Sequence, residues 1–143
     1  MFSAQNWWAW VGLGLAIVAA VSTSGCGDTE GEARGSVEGT VTVDATPVEQ
    51  GTISFVPVEG TTGPASYGVI ADGKYSLAAG NRGPIVGQHS VQIEAFRDLG
   101  KKSVENGQPI HEQVVPAKYN SQTTLFVEIT KGQNEHNFDL KTK

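Results

Sequence analysis

The feature that most constrains the fold is an alternation of apolar and polar residues from Val37 almost to the C-terminus. Successive side chains of a strand point to opposite faces, so a period of two marks a ribbon with one buried and one wet face. In the run Val37–Val43, Val37, Val41 and Val43 share one parity against Glu38, Thr40 and Thr42. The run Thr52–Val58 turns Ile53 and Phe55 inward; Pro57 lacks an N–H, which places its end at a sheet edge or bulge. Tyr67–Ala71 and Lys74–Leu77 flank Asp72-Gly73. Both turn residues tolerate positive φ, so this is a hairpin signal, with Tyr75 and Leu77 facing the core. His89–Phe96 presents Val91, Ile93 and Ala95, Thr123–Thr130 presents Leu125, Val127 and Ile129, and Glu135–Lys141 presents Phe138 and Leu140. The segments Asp44–Pro47, Glu59–Pro64, Gly80–Gly87 and Lys131–Asn134 read as turns or loops. No stretch beyond residue 26 carries the 3.6-residue period of an amphipathic helix. The reading is an all-β domain, a seven-stranded antiparallel β-sandwich or open barrel.

The start of the chain is of another kind. Of 143 residues, the first 25 include no Asp, Glu, Lys or Arg and hold all three tryptophans. Trp10–Val21 is an apolar run of 12, the length of a signal-peptide core and too short for the roughly 20 residues of a membrane-spanning helix. Small residues Ser22–Gly25 precede Cys26, the only cysteine. This resembles a bacterial lipobox, in which the cysteine receives a diacylglycerol and the chain is cut just before it. It departs from that pattern in two places: Thr23 stands where an aliphatic residue is usual, and the start lacks a basic residue. Residues 1–25 are thus expected to be a lipoprotein signal peptide and Cys26 the lipidated first residue of the mature chain; an uncleaved apolar anchor, and ordinary signal-peptidase cleavage that leaves a free thiol, stay open as alternatives. Residues 26–35 form a flexible acidic tether, and residues 36–143 the folded domain. The expected location is the bacterial cell envelope, with a membrane anchor through Cys26 and the domain facing the periplasm or the cell surface. Gly27 is not the Asp that retains lipoproteins at the inner membrane, so sorting to the outer membrane is allowed.

Composition excludes several classes. One cysteine leaves no disulfide framework and no cysteine-rich zinc site. A formal net charge of −5 without a basic patch argues against nucleic acid as partner. His89, His111 and His136 show no H-x-H or H-E-x-x-H spacing, and no nucleophile elbow occurs. No catalytic residue, metal or cofactor is expected. Without a D-x-D-x-D-G loop, Asp72 is assigned to its turn and not to calcium. His136, on the inward parity beside Phe138, reads as a partly buried structural histidine.

The pieces Gly39-Thr40-Val41, Thr46-Pro47-Val48, Gly51–Phe55 and Ala71–Tyr75 resemble the transthyretin-like, carboxypeptidase-regulatory-like domains. Ile85–Ile93 looks like a further strand of that family, with His89 where an aromatic is usual. Val115–Asn120, Thr123–Leu125 and the ending Phe138–Leu140 are similar to a subgroup of small exported bacterial lipoproteins built from one such domain. The resemblance implies a seven-stranded transthyretin-like sandwich and no transferable activity. Relatives on this fold include a hydrolase with a Tyr-Arg-Gly-Ser tail and dioxygenases with two Tyr and two His at iron. This chain ends Asp139-Leu140-Lys141-Thr142-Lys143, and its Tyr67, Tyr75 and Tyr119 are scattered.

The connection Arg97–Asn120 is much longer than the usual 4–6 residues or so, and loops of that length are often functional. Its polar half makes Lys101, Lys102, Asn106 and His111 a candidate binding loop. In its apolar half, Val114, Val115 and Tyr119 are expected to pack back across the domain, with a short extra edge strand. The function expected is a non-catalytic binding or structural role at the envelope, with a protein or polysaccharide as partner. Two alternatives stay open: a small hydrolase or metal-dependent enzyme on the same fold, and an accessory module assisting a neighbouring envelope enzyme.

Overall fold

A computed structural model describes residues 31–80 and 82–143. The leader, Cys26 and most of the acidic tether lie outside the described residues. The all-β expectation holds. Ten strands form one curled, mainly antiparallel sheet, a half-barrel around its core. They are β1 (Gly35–Val43), β2 (Thr46–Pro47), β3 (Gln50–Pro57), β4 (Ser66–Ala71), β5 (Lys74–Leu77), β6 (Gly87–Lys102), β7 (Pro109–Gln113), β8 (Leu125–Ile129), β9 (Gly132–Glu135) and β10 (Phe138–Leu140).

β1 is shared by four neighbours. Its first half pairs antiparallel with β5 (Val37↔Leu77) and parallel with β9 (Val37↔Asn134). Its second half pairs antiparallel with β2 (Val43↔Thr46) and parallel with β10 (Val43↔Leu140). β4 and β5 meet only at Ala71↔Lys74, next to the turn, and then diverge. β3 lies between β4 and β6. On its other side, β6 takes β8 along Gly87–Val91 and β7 along Phe96–Lys102.

The inward parity read from the sequence is the core. Val37, Val41, Ile53, Phe55, Ile70, Val91, Ile93, Ala95 and Ile129 are fully enclosed. Phe55, Tyr75 and Phe138 form an aromatic row with ring centroids 6.1 and 6.2 Å apart. Such offset pairs contribute about 0.5–1.5 kcal/mol each beyond their burial.

Four expectations change. The strands number ten and not the seven expected. The run Glu135–Lys141 is not one strand: it breaks at His136-Asn137 into β9 and β10. There the Asn137 Oδ1 accepts the Thr40 N–H (2.8 Å), and the His136 N–H donates to the Glu38 carbonyl (3.0 Å). Gly39 makes this crossing fit, because a Cβ there would fall on the His136 carbonyl. The segment Lys131–Asn134 is only partly a turn, since Gly132–Asn134 already pair with β1. Pro57 ends β3 at a locally unpaired edge, as expected. Pairing with β4 stops at Phe55↔Ser66, so the missing N–H falls where that neighbour has ended.

The fourth change is the largest. Arg97–Asn120 is not an open loop: β6 continues to Lys102 and returns as β7. Both strands of this hairpin are polar enough to hide the alternation, and a register shift between Asp98 and Lys102 interrupts it further. The apolar half packs back as expected. Val115 is buried and Val114 and Tyr119 are half-buried, but they do not form the extra strand themselves: it is Pro109–Gln113, just before them, and Tyr119 closes a 3₁₀ turn.

β8 and β9 sit at opposite margins of the sheet, yet only Thr130 and Lys131 separate them. Asn134 fixes this corner. Its Oδ1 accepts from the Thr130 N–H and hydroxyl (both 2.9 Å), and its Nδ2 donates to the carbonyls of Thr130 (2.9 Å) and Ser36 (3.0 Å). The residue is buried, so truncation strands several groups at once. Asn134→Ala is expected to cost about 2–3 kcal/mol. Urea unfolding followed by circular dichroism checks this; a loss below roughly 0.5 kcal/mol, the floor for a typical single hydrogen bond, contradicts it.

Candidate functional site

The described part of the molecule has two poles. At one, the chain enters the sheet: the Gly35 N–H donates to Pro84 (3.0 Å), the Val86 N–H to Ala33 (2.8 Å), and the Arg34 guanidinium to Gly83 (2.7 Å). β1 then runs nine residues, about 30 Å, to the far pole. There lie the Asp44 turn, the Asp72-Gly73 turn and the C-terminal residues. The Gly73 N–H donates to Val48 (2.7 Å) and its carbonyl accepts from Val41 (2.9 Å). Asp72 and Gly73 both have positive φ, 50° and 73°, and they brace β1 against the segment after β2. Their role here is structural.

β6 starts near the entry pole and runs to the far one. Its last pairing with β3 is Gly51↔Ala95, and only β7 accompanies it from Phe96 to Lys102. β7 covers the same span in five residues, because β6 is irregular between Asp98 and Lys102, and at roughly 3.3 Å each they give a two-stranded arm about 17 Å long. Every residue of β6 from Phe96 on, and all of β7, is exposed. An isolated two-stranded ribbon is marginally stable in water. This one carries Phe96, Leu99 and Ile110 about 40% exposed, and Val104 fully exposed at its turn.

Local chemistry shapes the arm. Gly100 and Gly107 take φ of 64° and 67°. The side chains of Asp98, Ser103 and Asn106 each accept the backbone N–H two residues on, which bends the chain without core contacts. Arg97 and Glu112 form an ion pair (2.8 Å) across the base of the arm. Both groups are mostly exposed, so the pair adds little stability. The four candidate residues fall on this one element: Lys101 and Lys102 end β6, Asn106 lies in the turn, and His111 stands opposite Asp98 on β7. Among the described residues, neither lysine has an ion-pair partner.

A groove of about 520 Å³ lies where the arm leaves the domain. Val43, Pro47, Val48 and Val114 supply apolar surface, and Asp44, Glu49, Arg97 and Glu112 supply charge. The Asp44 carboxylate accepts the Thr142 N–H (3.1 Å) and hydroxyl (2.5 Å), which hold it below the usual carboxylate range. Sequence reading missed this groove. Asp44 and Glu49 look like ordinary turn residues, and only the fold carries them to the root of the arm.

The histidines do not converge. His89 is fully enclosed, edge-on to Phe55 at 6.5 Å. Its Nδ1–H donates to the Gly87 carbonyl (3.0 Å), while Nε2 is buried without a partner. His136 also buries an unpartnered Nε2. Tyr75 donates its hydroxyl to the His136 carbonyl (2.7 Å), and burial pushes the phenol well above its usual range. His111 is on the arm. Among the described residues, no three His, Cys, Asp or Glu side chains are grouped to hold a metal, and no helix is long and apolar enough to cross a membrane.

Compared with protein-family models, curated proteins and solved structures, the chain matches none.

The enclosure of His89 has a consequence in acid. Burial lowers its pKa below 6.5, against a smaller opposing effect of the Gly87 hydrogen bond. The unfolded chain therefore takes up this proton near pH 6.5, while the folded chain resists it to lower pH. The fold should lose stability as pH falls below 6.5, until the folded histidine protonates as well. His89→Phe, which keeps a ring beside Phe55, should flatten unfolding free energy between pH 6.5 and 5. An unchanged slope would assign the acid sensitivity elsewhere.

Proposed function

We propose that this chain is an exported, lipid-anchored, non-catalytic binding module of the bacterial cell envelope. In this reading its domain is a transthyretin-like sandwich, held to the membrane through Cys26, and its partner is an envelope protein or polysaccharide. The observation that carries the binding role is the arm. It extends about 17 Å from the pole opposite to the one where the chain enters the sheet, with its apolar and cationic side chains in solvent. A chain anchored before residue 35 would carry that arm away from the membrane. A stable core with an unsupported ribbon at its outer end is an arrangement suited to contact.

The arm is separable from the core, because it contributes none of the fully enclosed residues. Replacing Gly100–Gln108 with Asn-Gly should leave the melting temperature within a few degrees of wild type, a shift of less than about 1 kcal/mol. The same variant should lose co-sedimentation with envelope fractions stripped of its own lipid. Retained co-sedimentation assigns binding to another surface. The anchor is tested separately: radiolabelled palmitate should label the wild type and not Cys26→Ser, and an unlabelled wild type contradicts the lipoprotein reading.

A further inference from the structure

The tip of the arm and the groove at its root are opposite in net charge, the tip carrying Lys101, Lys102 and Glu105 and the groove Asp44, Glu49, Glu112 and Arg97, and they lie at opposite ends of one ribbon. The tip offers Lys101 and Lys102, without ion-pair partners among the described residues, beside the fully exposed Val104. The groove offers Asp44 and Glu49 around the apolar surface of Pro47 and Val48. A molecule cannot join its own two ends, because about 17 Å of paired ribbon separates the tip from the groove.

We propose that the partner of the arm is the arm of a second copy of this chain, clasped side by side and antiparallel about a two-fold axis. This rests on the reading of the arm as the binding element and names its occupant. In that arrangement each tip reaches the other copy's groove, so Lys101 and Lys102 meet Asp44 and Glu49 twice. The exposed Ile110 is covered along the seam, while Phe96, placed on the other face of the ribbon by its pairing with Gln113, is met where it lines the groove. The contact uses the faces and ends of the ribbon and not its backbone edge, which the register shift between Asp98 and Lys102 makes irregular. A two-fold contact is self-complementary and closes at two copies.

The test is a charge swap on the full chain, purified in mild detergent and followed by sedimentation equilibrium with the detergent density-matched. The wild type should be a dimer in the micromolar range. Lys101→Glu/Lys102→Glu places acid against acid, and Glu49→Lys places base against base. Each should weaken dimerisation at least tenfold without moving the melting temperature of the dilute monomer, because all three residues are exposed. Mixed together, the two variants should form a heterodimer of near wild-type affinity, since each then meets its opposite. A wild type that is monomeric up to its solubility limit overturns the proposal, as does a dimer indifferent to both substitutions. A monomer that still binds envelope fractions or anionic vesicles through Lys101 and Lys102 also overturns it, while leaving the arm as a binding element. A monomer whose arm binds nothing removes both readings.

Discussion

The structure depends on the sharing of β1. One nine-residue strand satisfies four others, two antiparallel and two parallel, and changes partners near Thr40 and Val41. This brings the C-terminal strands back beside the first one and curls the sheet into a half-barrel. The crossing at Gly39 makes it geometrically possible. The missing Cβ admits the His136 carbonyl, which in turn receives the hydroxyl of the enclosed Tyr75. Glycine costs backbone entropy in a strand. Here it is offset by a packed aromatic row whose central ring, Tyr75, has its one polar atom satisfied by that carbonyl.

What was legible in the sequence was what period two reports. Val37, Val41, Ile53, Phe55, Val91, Ile93 and Ile129 all lie where alternation puts them, because burial on one face is a local pattern with a global cause. The β4–β5 hairpin was legible for a chemical reason, as Asp72-Gly73 accepts the positive φ the turn requires. The corner at Asn134 was not. Its side-chain hydrogen bonds include one to Ser36, nearly a hundred residues away, and an asparagine before Glu135 reads locally as a turn residue. The β6–β7 arm was half legible. Its length and polarity marked a special segment. Its strand character was hidden because a ribbon exposed on both faces has no core to alternate against.

That difference separates the two parts of the molecule energetically. The core is held by burial at roughly 25 cal/mol per Å² and by ladders that bridge distant segments. The arm has only its own ladder, one exposed ion pair and a few side-chain-to-backbone turns. Regions with exposed backbone hydrogen bonds and little buried apolar area open first. The arm therefore fluctuates more readily than the sheet it grows from, and a partner that orders it must supply contact area the chain itself lacks.

The kind of partner follows from how the arm avoids indiscriminate pairing. A flat, regular, apolar edge would recruit strands of any sequence and grow without limit. This ribbon is bent by Gly100, irregular between Asp98 and Lys102, and charged at Arg97, Asp98, Lys101 and Lys102. Open-ended edge pairing is thus disfavoured, while the side-chain faces and the cationic tip remain available. A head-to-tail contact of tip to groove would leave one tip and one groove unfilled at every stage and extend into a fibre. Two antiparallel arms fill both grooves in a single step. With equal chemistry at each contact, the closed pair fills both grooves at two copies, and growth beyond two has no tip left to offer.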